Sequence, residues 1–145
     1  MRKTLYQLIS DTLRTLPAIQ HIDLWNNQVL YAEEEQPFPT PAVFVEFAPV
    51  EWQHLLHGVK EAVLTLRLHV VTDSRVSPWS EAVEVFALHD HINATLHGLH
   101  ATTADGSVVD ALTLTQSTTD HDFAELQDNV EVYQCHVTDR SAYRR

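Results

Sequence analysis

Histidine is the side chain that first suggests chemistry in this sequence, because ten of the 145 residues are histidines. The densest group contains His89, His91, His97 and His100, with Asp90 between the first two. Imidazole and carboxylate groups are common zinc ligands. Residues two apart on a helix point about 200° from each other, so His89 and His91 do not hold one ion together, unlike an i, i+4 pair. We therefore predict no metal and no cofactor, and interpret these side chains as solvated or core-edge histidines.

Two other combinations have the residue types of acid-base or nucleophilic catalysis. Asp120-His121-Asp122 offers two carboxylates and an imidazole, but the same residues are typical of a polar β-turn. Cys135 and His136 are neighbours in a predicted strand, so their side chains face opposite sides of a sheet and cannot share a proton. None of the three glycines belongs to a phosphate-binding motif. We predict no catalytic residues and a protein that is not an enzyme.

Length and charge narrow the class of protein. A chain of 145 residues with 44% hydrophobic content is the size of one domain, spanning residues 1–145. Its 20 acidic and 9 basic residues give a net charge of -11, which opposes broad binding to nucleic acid phosphates. We find neither a signal peptide pattern nor an apolar run near the roughly 18 residues of a membrane helix. The lone Cys135 has no internal disulfide partner, so we expect a reduced chain with no membrane contact.

Apolar residues recur at helical spacing in two segments. The first helix is predicted over the opening residues and stops before Pro17. The second is predicted over residues 78–99, with a core stripe of Val85, Leu88, Ile92, Leu96 and Leu99. The opposite side of this second helix carries small apolar residues rather than charges, and we predict that it meets another surface: Val83, Ala87 and Ala94.

The remaining segments alternate polar and apolar residues as strands do. Residues 42–50 and 62–70 are predicted to pair as an antiparallel hairpin, and residues 108–119 and 125–138 as a second, long hairpin. Residues 21–25 and 28–31 predict a short hairpin or bent strand, followed by a stiff proline-rich connection over 33–41. The predicted fold class is α+β, a mostly antiparallel sheet with two main helices in the order α-β-β-β-β-α-β-β. Two helices are too few to cover both faces of such a sheet.

The connection between the strands of the first hairpin, residues 51–60, has an unusual composition. Such connections normally carry polar turn residues, yet this one contains Trp52, Leu55 and Leu56. We predict that these three side chains anchor a contact with a neighbouring subunit or another protein. The alternative is that the segment folds back and Trp52 joins the core.

Several segments together resemble the tail terminator, or tail-completion, proteins of long-tailed bacteriophages and prophages. The similarity extends over nearly the whole chain. It rests on the order of the helices and strands and on five sequence segments: LYQLI at 5–9, AVFVEF at 42–47, LTLRLHV at 64–70, LHDHINA at 88–94 and VEVYQC at 130–135. The family has no short diagnostic motif, and no catalytic residue transfers from it.

The resemblance implies a ring, commonly hexameric, that caps the head-proximal end of the tail tube, ends tube polymerisation and offers a surface for joining the head. It implies as partners further copies of the chain, the tail tube protein and head-tail connector or neck proteins. DNA would pass through the lumen without specific binding, and an acidic ring suits that passage. The location implied is the virion tail or neck, assembled in the bacterial cytoplasm. The alternatives are another neck or connector ring protein, or a module that binds a small molecule or peptide.

Overall fold

The computed structural model describes residues 1–26, 38–120 and 125–144. Over these ranges the chain forms two helices and a mostly antiparallel sheet of eight strands, so the predicted α+β class and order of elements are confirmed. Two very short strands also form between the second helix and the final hairpin. The elements are α1 (Arg2–Leu13), β1 (His21–Leu24), β2 (Ala42–Phe47), β3 (Gln53–His54), β4 (Lys60–Asp73), α2 (Ala82–Leu96), β5 (Ala101–Thr102), β6 (Val108–Val109), β7 (Thr113–Thr118) and β8 (Leu126–Asp139).

Strands β4 and β8 are the centre of the sheet. They pair antiparallel along their full length, from Lys60 opposite Asp139 to Asp73 opposite Leu126. The strand order is β1-β2-β4-β8-β6-β5, while β3 pairs with β4 and β7 pairs with β8. Both predicted antiparallel hairpins, β2 with β4 and β7 with β8, are confirmed. Strand β1 pairs with β2 in parallel.

Side-chain alternation along β4 and β8 separates the sheet into two faces. Leu64 and Leu66 are fully buried on the helix-covered face, as are their register partners Cys135 and Tyr133 of β8. Burial of a leucine side chain stabilises a fold by about 2 kcal/mol, so this layer is a large part of the driving force for folding. The helices add residues of the predicted stripes to the same core: Leu5, Ile9 and Leu13 from α1, and Leu88, Ile92 and Leu96 from α2.

The other face of the sheet carries a second, smaller apolar cluster at one end. Ala42, Phe44 and Val71 are buried there, against the half-buried side chains of Trp25 and Phe38. Elsewhere the described parts of the chain leave this face open, and Val63 in β4 is 55% exposed. Both helices therefore pack on one face only, as their number predicts.

Helix α2 begins at Ala82, four residues after the predicted start at position 78. The preceding residues form turns instead, with the Trp79 amide donating to the Val76 carbonyl. The helix stops at Leu96, and Gly98 adopts φ +77, a left-handed conformation that glycine tolerates after a helix end. The predicted strand at 28–31, most of the predicted connection at 33–41 and the turn residues 121–122 lie outside the described residues.

Candidate assembly interfaces

The connection between β2 and β4, residues 51–60, is a short hairpin that we call the tip. Strand β3 pairs with the start of β4, and a single 3-10 turn, Leu56–Gly58, closes the chain reversal. His57 and Gly58 both have positive φ in this turn, 62° and 80°. The reversal leaves the side chain of Leu55 44% exposed and that of Leu56 80% exposed.

The segment after β8 packs on the tip and holds its shape. The Arg144 amide donates a 2.7 Å hydrogen bond to the His57 carbonyl, and the Tyr143 ring lies 6.2 Å from the His57 ring. A Cβ at Gly58 would collide with the Ala142 carbonyl oxygen, so a larger residue would displace this segment. The tip is therefore a braced projection with two leucines on its surface.

Trp52 differs from the other two residues predicted as contact anchors. Its indole is half-buried and packs against the main core, and the Lys60 ammonium lies 4.5 Å from its ring centroid. A cation over the indole face is an attractive contact. The ring is thus occupied by the chain's own residues, while Leu55 and Leu56 remain open to a second molecule.

The side of α2 that faces away from the core carries the other three predicted interface residues. Val83 is 73% exposed, Ala94 is exposed and Ala87 is half-buried. The sequence reasoning missed Phe86, whose side chain is 46% exposed on the same side. The sequence did carry a signal for Phe86: a large aromatic residue three positions after Val83, which places it on the same side of the helix and outside the core stripe. We call Val83, Phe86, Ala87, Asp90 and Ala94 the outer stripe.

A groove runs beside the outer stripe, between α2 and the β7–β8 hairpin. It holds two adjoining cavities of about 470 Å³ and about 190 Å³, and Phe86 lines both. Polar side chains dominate the smaller cavity, and its lining includes His89, Asp90, Ser117, Thr119 and Glu131. The groove thus places an aromatic side chain next to hydrogen-bonding groups.

His89 and Glu131 form a buried pair in the wall of this groove. His89 Nδ1 lies 2.8 Å from Glu131 Oε1, and Ser117 Oγ donates a short hydrogen bond to the second carboxylate oxygen. With Nδ1 donating to the carboxylate, Nε2 is a buried nitrogen that has no hydrogen-bond partner among the described residues. His89 was interpreted from sequence as a core-edge or solvated histidine; it lies at the core edge, 7% exposed, whereas His91 is exposed.

His69 is a second paired histidine, on the open face of the sheet. Its Nε2 lies 2.6 Å from Glu46 of β2, and its Nδ1 lies 2.9 Å from Asp128 of β8. Burial alone would lower the pKa of His69, but hydrogen bonds and charge from the two carboxylates outweigh it and raise the pKa above 6.5. The sequence reasoning did not single out His69, because its partners are far apart in the chain.

Cys135 and His136 face opposite sides of the sheet, as predicted. Burial, and secondarily the charge of Asp110, raises the pKa of the Cys135 thiol to about 11. His136 lies instead on the open face, with Nδ1 3.0 Å from Asp110 and Nε2 3.3 Å from Glu61. In the described part of the chain, no three His, Cys, Asp or Glu side chains form a group suited to a metal ion. Neither described helix has the length and apolar character needed to cross a bilayer.

The sequence matches no described protein family and no curated protein. By structure, 17 chains match the fold. One of them belongs to a structure described as "Virion of native gene transfer agent (GTA) particle", with a TM-score of 0.54 and 15% sequence identity. The alignment covers 93% of this chain and 95% of that chain. The two chains therefore share an α+β fold over nearly their whole lengths.

Proposed function

We propose that this chain is a structural protein of a phage or phage-like virion. The observation that carries the proposal is the fold shared, end to end, with a chain of a gene transfer agent virion particle. The surface supports it, because exposed apolar side chains lie on a braced turn and on a helix, where a partner would bury them. The histidine-carboxylate groups found in the described residues are internal pairs. The Ser117 hydroxyl beside one of them donates to the Glu131 carboxylate and not to the imidazole.

Within that class, we propose the role of tail terminator. The chain forms a closed ring on the head-proximal end of the tail tube, ends tube polymerisation and presents the surface that joins the head. Its partners are other copies of itself, the tail tube protein and neck or connector proteins. The tip and the outer stripe support this role, because two different patches on one subunit favour head-to-tail contacts, which close into rings. The net charge of -11 favours free passage of DNA through the lumen.

The test is the mass of the protein in solution, measured by light scattering with and without tail tube protein, together with tube length seen by electron microscopy. We expect a ring and tubes of defined length when the protein is added. A chain that stays monomeric with tube protein present, and leaves tube length unlimited, contradicts the proposal.

Substitution of Val83 tests whether α2 lies in the subunit contact. Val83→Glu places a charge on a side chain that is 73% exposed, so the fold should persist while the contact is lost. Val63→Glu is the matched control, because Val63 is 55% exposed but lies on the open face of the sheet. Ala87→Glu should have the same effect on assembly, but Ala87 is half-buried, so its melting temperature must be measured alongside. Loss of assembly in the Val63 variant alone would place the contact on the open sheet face.

A peptide-binding module is the second candidate function. It is favoured by a depression of about 490 Å³ on the open face, lined by residues that include Thr65, Arg67, Val132 and Gln134. Such a module would remain monomeric, and Arg67→Ala would then reduce ligand binding, whereas Val83→Glu would have no effect on it.

A further inference from the structure

Positive charge is distributed very unevenly along this chain. Between Val76 and Asp139 the sequence contains no Lys or Arg, although α2 and all four strands after it lie in this stretch. Helix α2 and its N-cap residue instead carry exposed carboxylates: Glu81, Glu84 and Asp90. Asp90 and Asp120 line the groove beside α2, which therefore has an acidic border.

Positive charge lies instead in the segment that braces the tip, which contains Arg140 and Arg144. The tip itself carries the exposed Glu51, and its Lys60 lies 3.9 Å from Asp139. Arg144 is exposed, and among the described residues no carboxylate lies within ion-pair distance of its guanidinium. The tip and its bracing segment thus combine exposed leucine side chains with an available positive charge.

The groove offers the complementary features. Phe86 is a half-exposed aromatic surface for a leucine, and Asp90 is a carboxylate beside it. Nε2 of His89 is a buried nitrogen in the same wall, and within residues 1–26, 38–120 and 125–144 it has no hydrogen-bond partner, although most buried polar atoms have one. An incoming chain with a hydrogen-bond donor would supply that partner.

The tip and the groove lie at opposite ends of the β4–β8 ladder. The tip adjoins the Lys60 and Asp139 end, whereas Asn129, ten positions earlier in β8, lines the groove. At roughly 3.3 Å per residue the two sites are about 33 Å apart. One copy therefore cannot fill its own groove.

We propose that the tip of one copy docks in the groove of the next copy, with Leu56 against Phe86 and Arg144 beside Asp90. The inference rests on the proposed ring and specifies which surfaces form its contact. Because two different patches meet, the contact is head-to-tail, and repeated copies close into a ring when the rotation between neighbours allows it. Opposite charges at the contact select this pairing against tip-to-tip or groove-to-groove contacts.

Reversal of each charge tests the pairing. Asp90→Lys and Arg144→Glu should each weaken assembly by roughly tenfold or more in dissociation constant, since each places like charges at every contact. Control variants Asp11→Lys and Arg2→Glu make the same charge changes on exposed residues of α1, and should assemble as the unmodified chain does.

A mixture of the two variants makes the decisive measurement. An Arg144→Glu tip fits an Asp90→Lys groove, and the other contact in an alternating ring is the original one. The equimolar mixture, and a chain carrying both changes, should therefore assemble where each single variant does not. If the single variants assemble as tightly as the unmodified chain, or if the mixture and the double variant do not recover, the proposed pairing is wrong although the ring still stands. Failure of the unmodified chain to assemble, even with tube protein, overturns the proposed function itself.

Discussion

The indole of Trp25 lies flat against the imidazole of His69, with ring centroids 3.7 Å apart and ring planes 2° apart. The edge of the same imidazole contacts Glu46 on one side and Asp128 on the other. A protonated ring in this position is stabilised through its face by the aromatic ring and through its edge by two charge-assisted hydrogen bonds. His69 thus connects three neighbouring strands and the small aromatic cluster, and its protonated form gains from each of these contacts.

Stability should depend on pH through His69. Its pKa is raised above 6.5 in the folded chain, so the folded state binds this proton more tightly than the unfolded state. The resulting stabilisation is fully present below about pH 6.5 and is lost as pH rises through the folded pKa. Urea unfolding of the unmodified chain should therefore give a larger loss of unfolding free energy between about pH 6 and about pH 9 than His69→Gln gives.

The cause of this pKa shift can be checked directly by NMR titration of the His69 ring. In the unmodified chain the midpoint should lie above 6.5, and Glu46→Gln with Asp128→Asn should lower it. Arg67, whose guanidinium lies 3.5 Å from Glu46, also faces the group and opposes protonation, so Arg67→Ala should move the midpoint upward. A midpoint at or below 6.5 in the unmodified chain would contradict the assignment.

The helices and strands, and the side of each that is buried, could be predicted from the spacing of apolar residues in the sequence. The leucines of α1 and α2 and the alternation in β4 fix which side of each element is buried, and that pattern needs no tertiary information. The extent of exposure was not predictable in the same way. Trp52 and Leu56 belong to one apolar segment, yet one contacts the core and the other is 80% exposed. The difference arises because β3 separates them and Leu56 lies in the 3-10 turn that reverses the chain.

The buried polar pairs could not have been predicted without the register of the sheet. Glu131 is paired with His89 because residue 131 of β8 faces α2, and the neighbouring position 132 faces away. A shift of one residue in register would reverse these faces. Sequence alone therefore shows the histidines but not which carboxylate each one contacts.

Replacement of His89 should be strongly destabilising. His89→Leu would leave Glu131 buried with only the Ser117 hydroxyl as a described partner, and an unpaired buried carboxylate typically costs about 3–5 kcal/mol. His89→Leu with Glu131→Leu should recover most of that loss, since two apolar side chains of similar volume leave no buried charge. Denaturant unfolding of the two single variants and the double variant checks this. A loss in the double variant equal to the sum of the losses in the two single variants would show that the pair has no energetic coupling.

Cys135 should resist alkylation in the folded chain. Its thiol is 3% exposed, and burial raises its pKa to about 11, so at pH 8 only about one thiol in a thousand is the reactive thiolate. Iodoacetamide labelling, followed by mass spectrometry, should be at least about a hundredfold slower than in urea, where the thiol is exposed. Labelling at similar rates in buffer and in urea would show that β8 opens readily.

Substitutions in the tip should distinguish residues that stabilise the fold from residues that form the assembly contact. Leu55→Ser with Leu56→Ser changes two exposed side chains, so each substitution should alter the unfolding free energy by no more than about 0.5 kcal/mol. Trp52→Ser removes an indole that packs against the core and under Lys60, and should cost about 2 kcal/mol or more. If the tip is the contact surface, the double leucine variant should melt normally but fail to form rings or bind tube ends, while Trp52→Ser should lower the melting temperature. Thermal melts measure the stability of both variants, and light scattering measures their assembly. A double leucine variant that still caps tubes would show that the tip is not part of the interface.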